Sequence, residues 1–273
     1  MRVVRRAVLA RGARLGGAVA VAVALWPLAR AAPAAAALVA PDDPRLAIQT
    51  VTFPAASGEL GGYVARPAAA GSNPLPAVIV VHENRGLNGH IEDLVRRVAL
   101  AGFMGLAPDL LAPLGGTPDD PDQARELVAK LDTDPVLADL VATLIYLRGR
   151  PDCSGAIGAL GFGWGGGAVN RLATVAPSLD AAVSFYGRTP SADATARIKT
   201  PLLLHYGALD EKGNEPLPEF ETALKAARVD YVLHMYPGAN QSFHNDTVRA
   251  RYNAQAAALA WDRTVQFFKR TLG

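Results

Sequence analysis

Ala156-Ile-Gly-Ala-Leu-Gly-Phe-Gly-Trp-Gly-Gly-Gly167 is the stretch on which the reading of the fold turns. The apolar run from Ala156 to Gly161 reads as a strand, the next glycines as a tight turn, and Gly165–Val175 as a helix. Strand, sharp turn and helix are the setting of a nucleophile elbow, where Gly-x-Nuc-x-Gly lifts a Ser or Cys to the top of a sheet. Gly161 and Gly165 sit where crowding at such a turn demands small residues. Between them stands Gly163, which has no side chain and attacks nothing. A dinucleotide-binding loop competes, because Gly161, Gly163 and Gly166 give G-x-G-x-x-G. It fails on context. The turn follows several β/α units, and the acidic residue about 20 positions on, Asp180, precedes a strand instead of ending one.

Outward from the elbow, strands and helices alternate. Ala47–Phe53 and Gly58–Arg66 read as an opening hairpin, and Ala77–Val81 as a strand buried on both faces. His90–Ala101 has helical apolar spacing and stops at Gly102; Phe103–Ala107 is a short strand. Asp122–Leu131 and Pro135–Arg148 read as helices. Strands at Ala181–Tyr186, Leu202–Tyr206 and Tyr231–Tyr236 follow, with helices at Leu217–Ala227 and Gln255–Thr271. The alternation predicts one α/β domain over residues 47–273, with a mostly parallel sheet and helices on both faces.

The N-terminus reads as an address. Residues 1–37 hold six arginines and no acidic residue, then an apolar run from Leu15 to Ala29 and a small-residue stretch from Ala31. These are the three regions of an export signal, and Arg5-Arg6 gives it a twin-arginine character. The run is shorter than the roughly 20 residues that a bilayer span takes, so no stable span is expected after signal removal. Residues 38–46 read as a linker, and the mature chain is expected in the periplasm or outside the cell. Taking the six arginines from the 27 basic residues leaves 21 against 25 acidic ones, a net charge of −4. No basic footprint for nucleic acid remains. One cysteine excludes an internal disulfide and a Cys-based metal cluster, and the five histidines (82, 90, 205, 234 and 244) lack zinc-ligand spacing. No metal and no cofactor are expected.

Further motifs then fall into a familiar order: Val80-Val-His-Glu-Asn-Arg-Gly-Leu-Asn88, Leu100-Ala-Gly-Phe-Met-Gly-Leu-Ala-Pro-Asp-Leu110, Ser184-Phe-Tyr-Gly187, His205-Tyr-Gly-Ala-Leu-Asp210 and Tyr236-Pro-Gly-Ala-Asn240. Together with the elbow, the chain from about Ile48 onward resembles the dienelactone hydrolase family of α/β-hydrolases. That resemblance implies an α/β-hydrolase fold and an ester- or lactone-hydrolysing pocket served by a Cys-His-Asp triad. Matched position by position, the acid is Asp210, the nucleophile position is Gly163 and the base position is Gln241. An amide takes no proton near neutral pH. The resemblance further implies that Glu83 contacts the nucleophile position and that the backbone N–H groups of Asn84 and Trp164 form the oxyanion hole. The family's substrate-binding arginine four residues past the base is Asn245 here, so Arg85 and Arg188, with Tyr186, are the candidates for holding substrate.

Cys153 precedes the elbow strand at its far end and offers no replacement thiol. His244, three residues past the base position, is a candidate for proton transfer. The first expectation is a catalytically silent member that binds a small ester, lactone or carboxylate. The alternative is a hydrolase in which Glu83 or His244 activates water. A chain altered at its two catalytic positions and a scaffold binding through its outer helices are the remaining readings.

Overall fold

The computed structural model describes residues 39–273. The leader expected at 1–37 lies outside the described residues. Eight strands form one sheet: β1 (Leu46–Ala55), β2 (Gly58–Pro67), β3 (Leu75–Val81), β4 (Met104–Pro108), β5 (Cys153–Phe162), β6 (Ala181–Phe185), β7 (Leu202–Gly207) and β8 (Tyr231–Tyr236). Their order is β1-β2-β4-β3-β5-β6-β7-β8. The hairpin β1–β2 and the pair β2–β4 are antiparallel, and every later pairing is parallel. The α-helices among the described residues are α1 (Gly89–Leu100), α2 (Pro121–Val128), α3 (Thr133–Arg148), α4 (Trp164–Val175), α5 (Ala192–Thr195), α6 (Glu211–Asn214), α7 (Leu217–Ala227) and α8 (Ala254–Leu272). This is the expected doubly covered α/β architecture.

The β-branched run in β3 shows why. Side chains alternate across a strand, so Ala77, Ile79 and Val81 join a core with α3, α4 and α7. Val78 and Val80 join a second core with α1 and α8 on the other face. A strand buried on both faces has no place for a polar side chain. Asn88 caps α1, its side-chain oxygen accepting from the His90 and Ile91 N–H groups at 3.1 and 3.2 Å.

Two expectations need correction. The stretch 38–46 is no free linker where it is described. Val39 is buried: its N–H donates to Asp93 at 2.6 Å, and its carbonyl accepts from Arg96 Nε at 2.7 Å. Apolar counting around 41–44 missed this, because the partners are charges on the buried side of α1. Cys153 does not precede the elbow strand; it is the first residue of β5, paired in register with Leu75. It is nonetheless at the end away from the elbow, and burial raises its thiol pKa.

Candidate functional site

β5 delivers the chain to Gly163 at the C-terminal edge of the sheet, and α4 starts at the next residue. Gly163 has φ 53° and ψ −112°, a conformation that side-chain-bearing residues adopt only under strain. Its N–H donates to the Phe185 carbonyl at 2.9 Å, which holds the turn against β6. The flanking glycines are demanded by contact. A methyl on Gly161 would meet the Gly165 carbonyl, and one on Gly165 would meet the carbonyls of Val81 and His82. Over Gly163, in contrast, a Cβ would find only the Tyr186 ring, at 3.9 Å. The elbow is intact, and the space for its side chain is open.

Tyr186 connects this turn to Glu83. It is buried with φ 40°, another strained position, and its hydroxyl donates to Glu83 Oε1 at 3.3 Å. Burial, then the Glu83 carboxylate, pushes its phenol pKa well above the usual value, so it stays a donor. The other Glu83 oxygen accepts from Asn245 Nδ2 at 2.9 Å. Asn245 thus positions the carboxylate at the place where the resemblance has arginine. Trp164 lies in the first turn of α4, whose N–H groups have no intrahelical acceptor. Its ring stacks on His82 at 5.3 Å between centroids. Asn84 follows Glu83 on the loop after β3 and is exposed.

Beyond Glu83 a cavity of about 330 Å³ opens, the size of a small-molecule site. Glu83, Asn84, Arg85, His90, Asn245 and Arg251 contribute to its wall, with Arg125 at the rim. Three guanidinium groups against one carboxylate favour an anionic ligand. A larger hollow of about 810 Å³ lies at the opposite end of the sheet, by Ala47, Tyr146 and Asp152. It is the less interesting space: it is remote from the elbow, and Arg66 and Arg150 already neutralise Asp152 there.

The loops that carry Asp210 and Gln241 adjoin, the Leu209 N–H donating to the Ala239 carbonyl at 2.9 Å. Asp210 caps the short helix α6, accepting from the Gly213 N–H at 3.1 Å. Gln241 is exposed, and its side-chain oxygen accepts from Arg251 at 3.1 Å. Arg85 lines the cavity; Arg188 is exposed and does not. His244 is enclosed by Phe162 and Phe185, both 5.0 Å away, and Trp261 at 5.8 Å. Burial first, then the neighbouring Arg97 guanidinium, holds its pKa down to about 3.

That depression has a stability consequence. Between the ordinary histidine value and about 3, the unfolded chain binds a proton that the folded chain refuses, so stability falls as pH drops through this window. Acidifying from pH 7 to 4 is expected to lower Tm more steeply in the native protein than in His244→Leu. Parallel Tm–pH profiles would refute the assignment. His205, His234 and His82, also lowered by burial, supply the acid sensitivity that both proteins share.

Sequence reading missed His90, Asp246, Arg97 and Arg251. His90 Nδ1 lies 3.5 Å from Asp246 Oδ1, and Arg97 binds both Asp246, at 3.2 Å, and Asp93. For His90 and Arg97 the only sequence signal was charge on an otherwise apolar helix face; Asp246 and Arg251 lie on the loop before α8. Among the described residues no group of three or more His, Cys, Asp or Glu side chains is placed to hold a metal ion, and no helix is long and apolar enough to cross a membrane.

Comparison with known proteins agrees with this fold. The family model described as "Dienelactone hydrolase family" matches residues 60–272. A Synechocystis protein with the provisional name carboxymethylenebutenolidase is 34% identical over 240 residues, covering 81% of this chain and 96% of its own. A provisionally identified dienelactone hydrolase from Klebsiella pneumoniae superposes with a TM-score of 0.74 at 31% identity, covering 82% of this chain and 99% of its own. A dienelactone hydrolase-like promiscuous phosphotriesterase from metagenomic libraries gives 0.75 at 25%, covering 84% and 100%.

Proposed function

The chain belongs to the dienelactone hydrolase family, and from that premise we propose that it is an exported member that binds a small ester, lactone or carboxylate without the family's covalent chemistry. The observation that carries this reading is the elbow itself. Gly163 keeps the backbone of a nucleophile position, with open space above it and no atom to attack with. Gln241 faces solvent and Arg251, and it has no proton-accepting nitrogen. The cavity beside Glu83, with Arg85 and Arg251 in its wall, supports a carboxylate-bearing ligand. The arginine-rich leader supports export.

Calorimetric titration with dienelactone, together with intact-mass analysis after exposure to p-nitrophenyl acetate, tests both halves. Saturable binding and an unmodified mass are expected. An acetyl adduct on the unaltered chain would overturn the non-covalent half, and no binding across a panel of small esters, lactones and carboxylates would overturn the other. The second reading, turnover by an activated water, cannot rest on His244, which is sealed among aromatic rings. Glu83 faces the cavity, with both of its oxygens already accepting hydrogen bonds.

A further inference from the structure

Gln241 and Arg251 stand near the two ends of one loop, and that loop is closed. The Asn253 N–H donates to the Phe243 carbonyl at 2.9 Å, and the Asn253 side chain donates to the Gly238 carbonyl at 3.3 Å. The closure returns Arg251 to position 241, where its Nη1 donates to Gln241 Oε1 at 3.1 Å. The residue after Gln241, Ser242, lines the cavity beside Glu83 and has φ 63°, a left-handed conformation that serine holds at a cost. The strained turn separates neighbours: position 242 faces the cavity, while Gln241 is exposed and turned to Arg251.

Arg251 and Arg85 both line that cavity, and neither forms an ion pair among the described residues. Arg125, at the rim, is already paired with Asp122 at 2.9 Å. The Glu83 carboxylate in the wall already accepts from Tyr186 and Asn245. Positive charge is therefore concentrated here, although residues 39–273 carry only 21 basic side chains against 25 acidic ones. A cleft lined by one sign of charge draws in the opposite ion. Arginine presents its donors in a fixed planar fork that matches a carboxylate, so its orientation matters as much as its charge.

Gln241 is suited to supply that orientation. A guanidinium only donates, so the amide oxygen must face it, and one N–H is engaged while the rest of the fork stays free. An acidic residue at 241 would hold Arg251 as well but would cancel its charge. A neutral amide holds the group and leaves the charge available. We propose that Gln241 is a positioning residue that fixes Arg251 as the charge-selecting group of the cavity. The protein then takes a lactone or ester that bears a free carboxylate and passes over the neutral form in which that carboxylate is itself esterified. The proposal rests on the ligand-binding reading above and adds the charge of the ligand and the residue pair that selects it. The ligand's carboxylate lies at the outer end of the cavity, on the Arg251 side, and its body extends inward towards Glu83.

The test is calorimetric titration of the full mature chain with dienelactone, which bears a free carboxylate, and with its neutral methyl ester. The native protein is expected to bind the carboxylate roughly 10-fold or more tightly than the methyl ester, as a charge-assisted arginine fork does. Added salt should narrow that gap. Arg251→Gln is expected to close it, weakening carboxylate binding about 10-fold and leaving the methyl ester as it was. Gln241→Glu should do the same, because the new carboxylate pairs with Arg251 and cancels its charge. Gln241→Leu leaves the guanidinium charged but unheld and should lose roughly 3-fold in carboxylate affinity alone, a smaller loss than removing the charge. Both positions are exposed, so the melting temperatures should match the native value, and unchanged methyl ester binding reports an intact cavity. Equal affinities for the two ligands in the native protein, or a gap that survives Arg251→Gln, overturns the proposal and leaves the binding reading standing. Full discrimination in Gln241→Leu or Gln241→Glu likewise overturns the positioning role. Absence of binding of either ligand by the native protein overturns both.

Discussion

Gly163→Cys combined with Gln241→His is expected to raise ester turnover by about 10³-fold or more over the native chain, with neither single change approaching that gain. Triad members act as a unit, and removing one costs about as much as removing several. The first substitution places a thiol on an elbow whose backbone is already in place, in a space bounded only by the Tyr186 ring at 3.9 Å. The second supplies an imidazole at the position matched to the family's base, on the segment that follows β8. The cost falls on stability. A side chain at φ 53°, ψ −112° is strained by about 1–3 kcal/mol, whereas glycine relieves that strain. Loss of the exposed Arg251 contact adds little. Turnover with p-nitrophenyl acetate, and trapping of an acetylated Cys at 163, give the readout. A double variant no faster than Gly163→Cys, with its thiol free and its fold intact, would mean that position 241 does not face the elbow and that more than two side chains separate this chain from its relatives.

The second large effect is at the other end of the chain. A protein beginning at Pro41 is expected to melt roughly 6–12 °C below one beginning at Leu38. Val39 is held by two charge-assisted hydrogen bonds, from its N–H to Asp93 and from Arg96 to its carbonyl, and its side chain is buried against α1. Hydrogen bonds to charged groups contribute about 1.5–3 kcal/mol each. Part of that is retained because Asp93 keeps Arg97, and Arg96 keeps the Tyr63 hydroxyl at 2.7 Å. A net loss of about 3 kcal/mol in a domain of this size corresponds to the stated shift. Equal melting temperatures for the two chains would show that the clamp contributes nothing. Since Arg97 links Asp93 to Asp246, and Asp246 lies beside His90, the shorter chain should also show altered ligand binding.

Local chemistry decided which of these features sequence could reveal. The elbow was legible because Gly161 and Gly165 answer to backbone contacts within one strand–turn–helix unit, which spacing alone exposes. β3 was legible because a run of β-branched residues fits only a strand covered on both faces. The Val39 clamp was not, since Asp93 and Arg96 look like ordinary charges on an amphipathic helix until α1 is laid against β2. The same holds for His90 and Asp246. They meet only when the segment after β8 returns over the N-terminus of α1, and neither carries a local motif. His244 illustrates the opposite error: sequence proximity to the base position suggested a role, while the fold seals the ring among Phe162, Phe185 and Trp261.

The glycine at the elbow has one more consequence, in redox chemistry. A catalytic thiolate is the most oxidisable group in an active site, and peroxide carries it through sulfenic to irreversible sulfinic and sulfonic acids. This pocket contains no thiol at all. Cys153 is buried at the far end of β5 with its thiol pKa raised, which keeps it protonated and slow to react. What the chain gives up at Gly163 in nucleophilic power it therefore gains in inertness: neither peroxide nor an alkylating agent has a sulfur in the pocket to attack, and the site stays in one chemical state where a cysteine hydrolase would be titrated away.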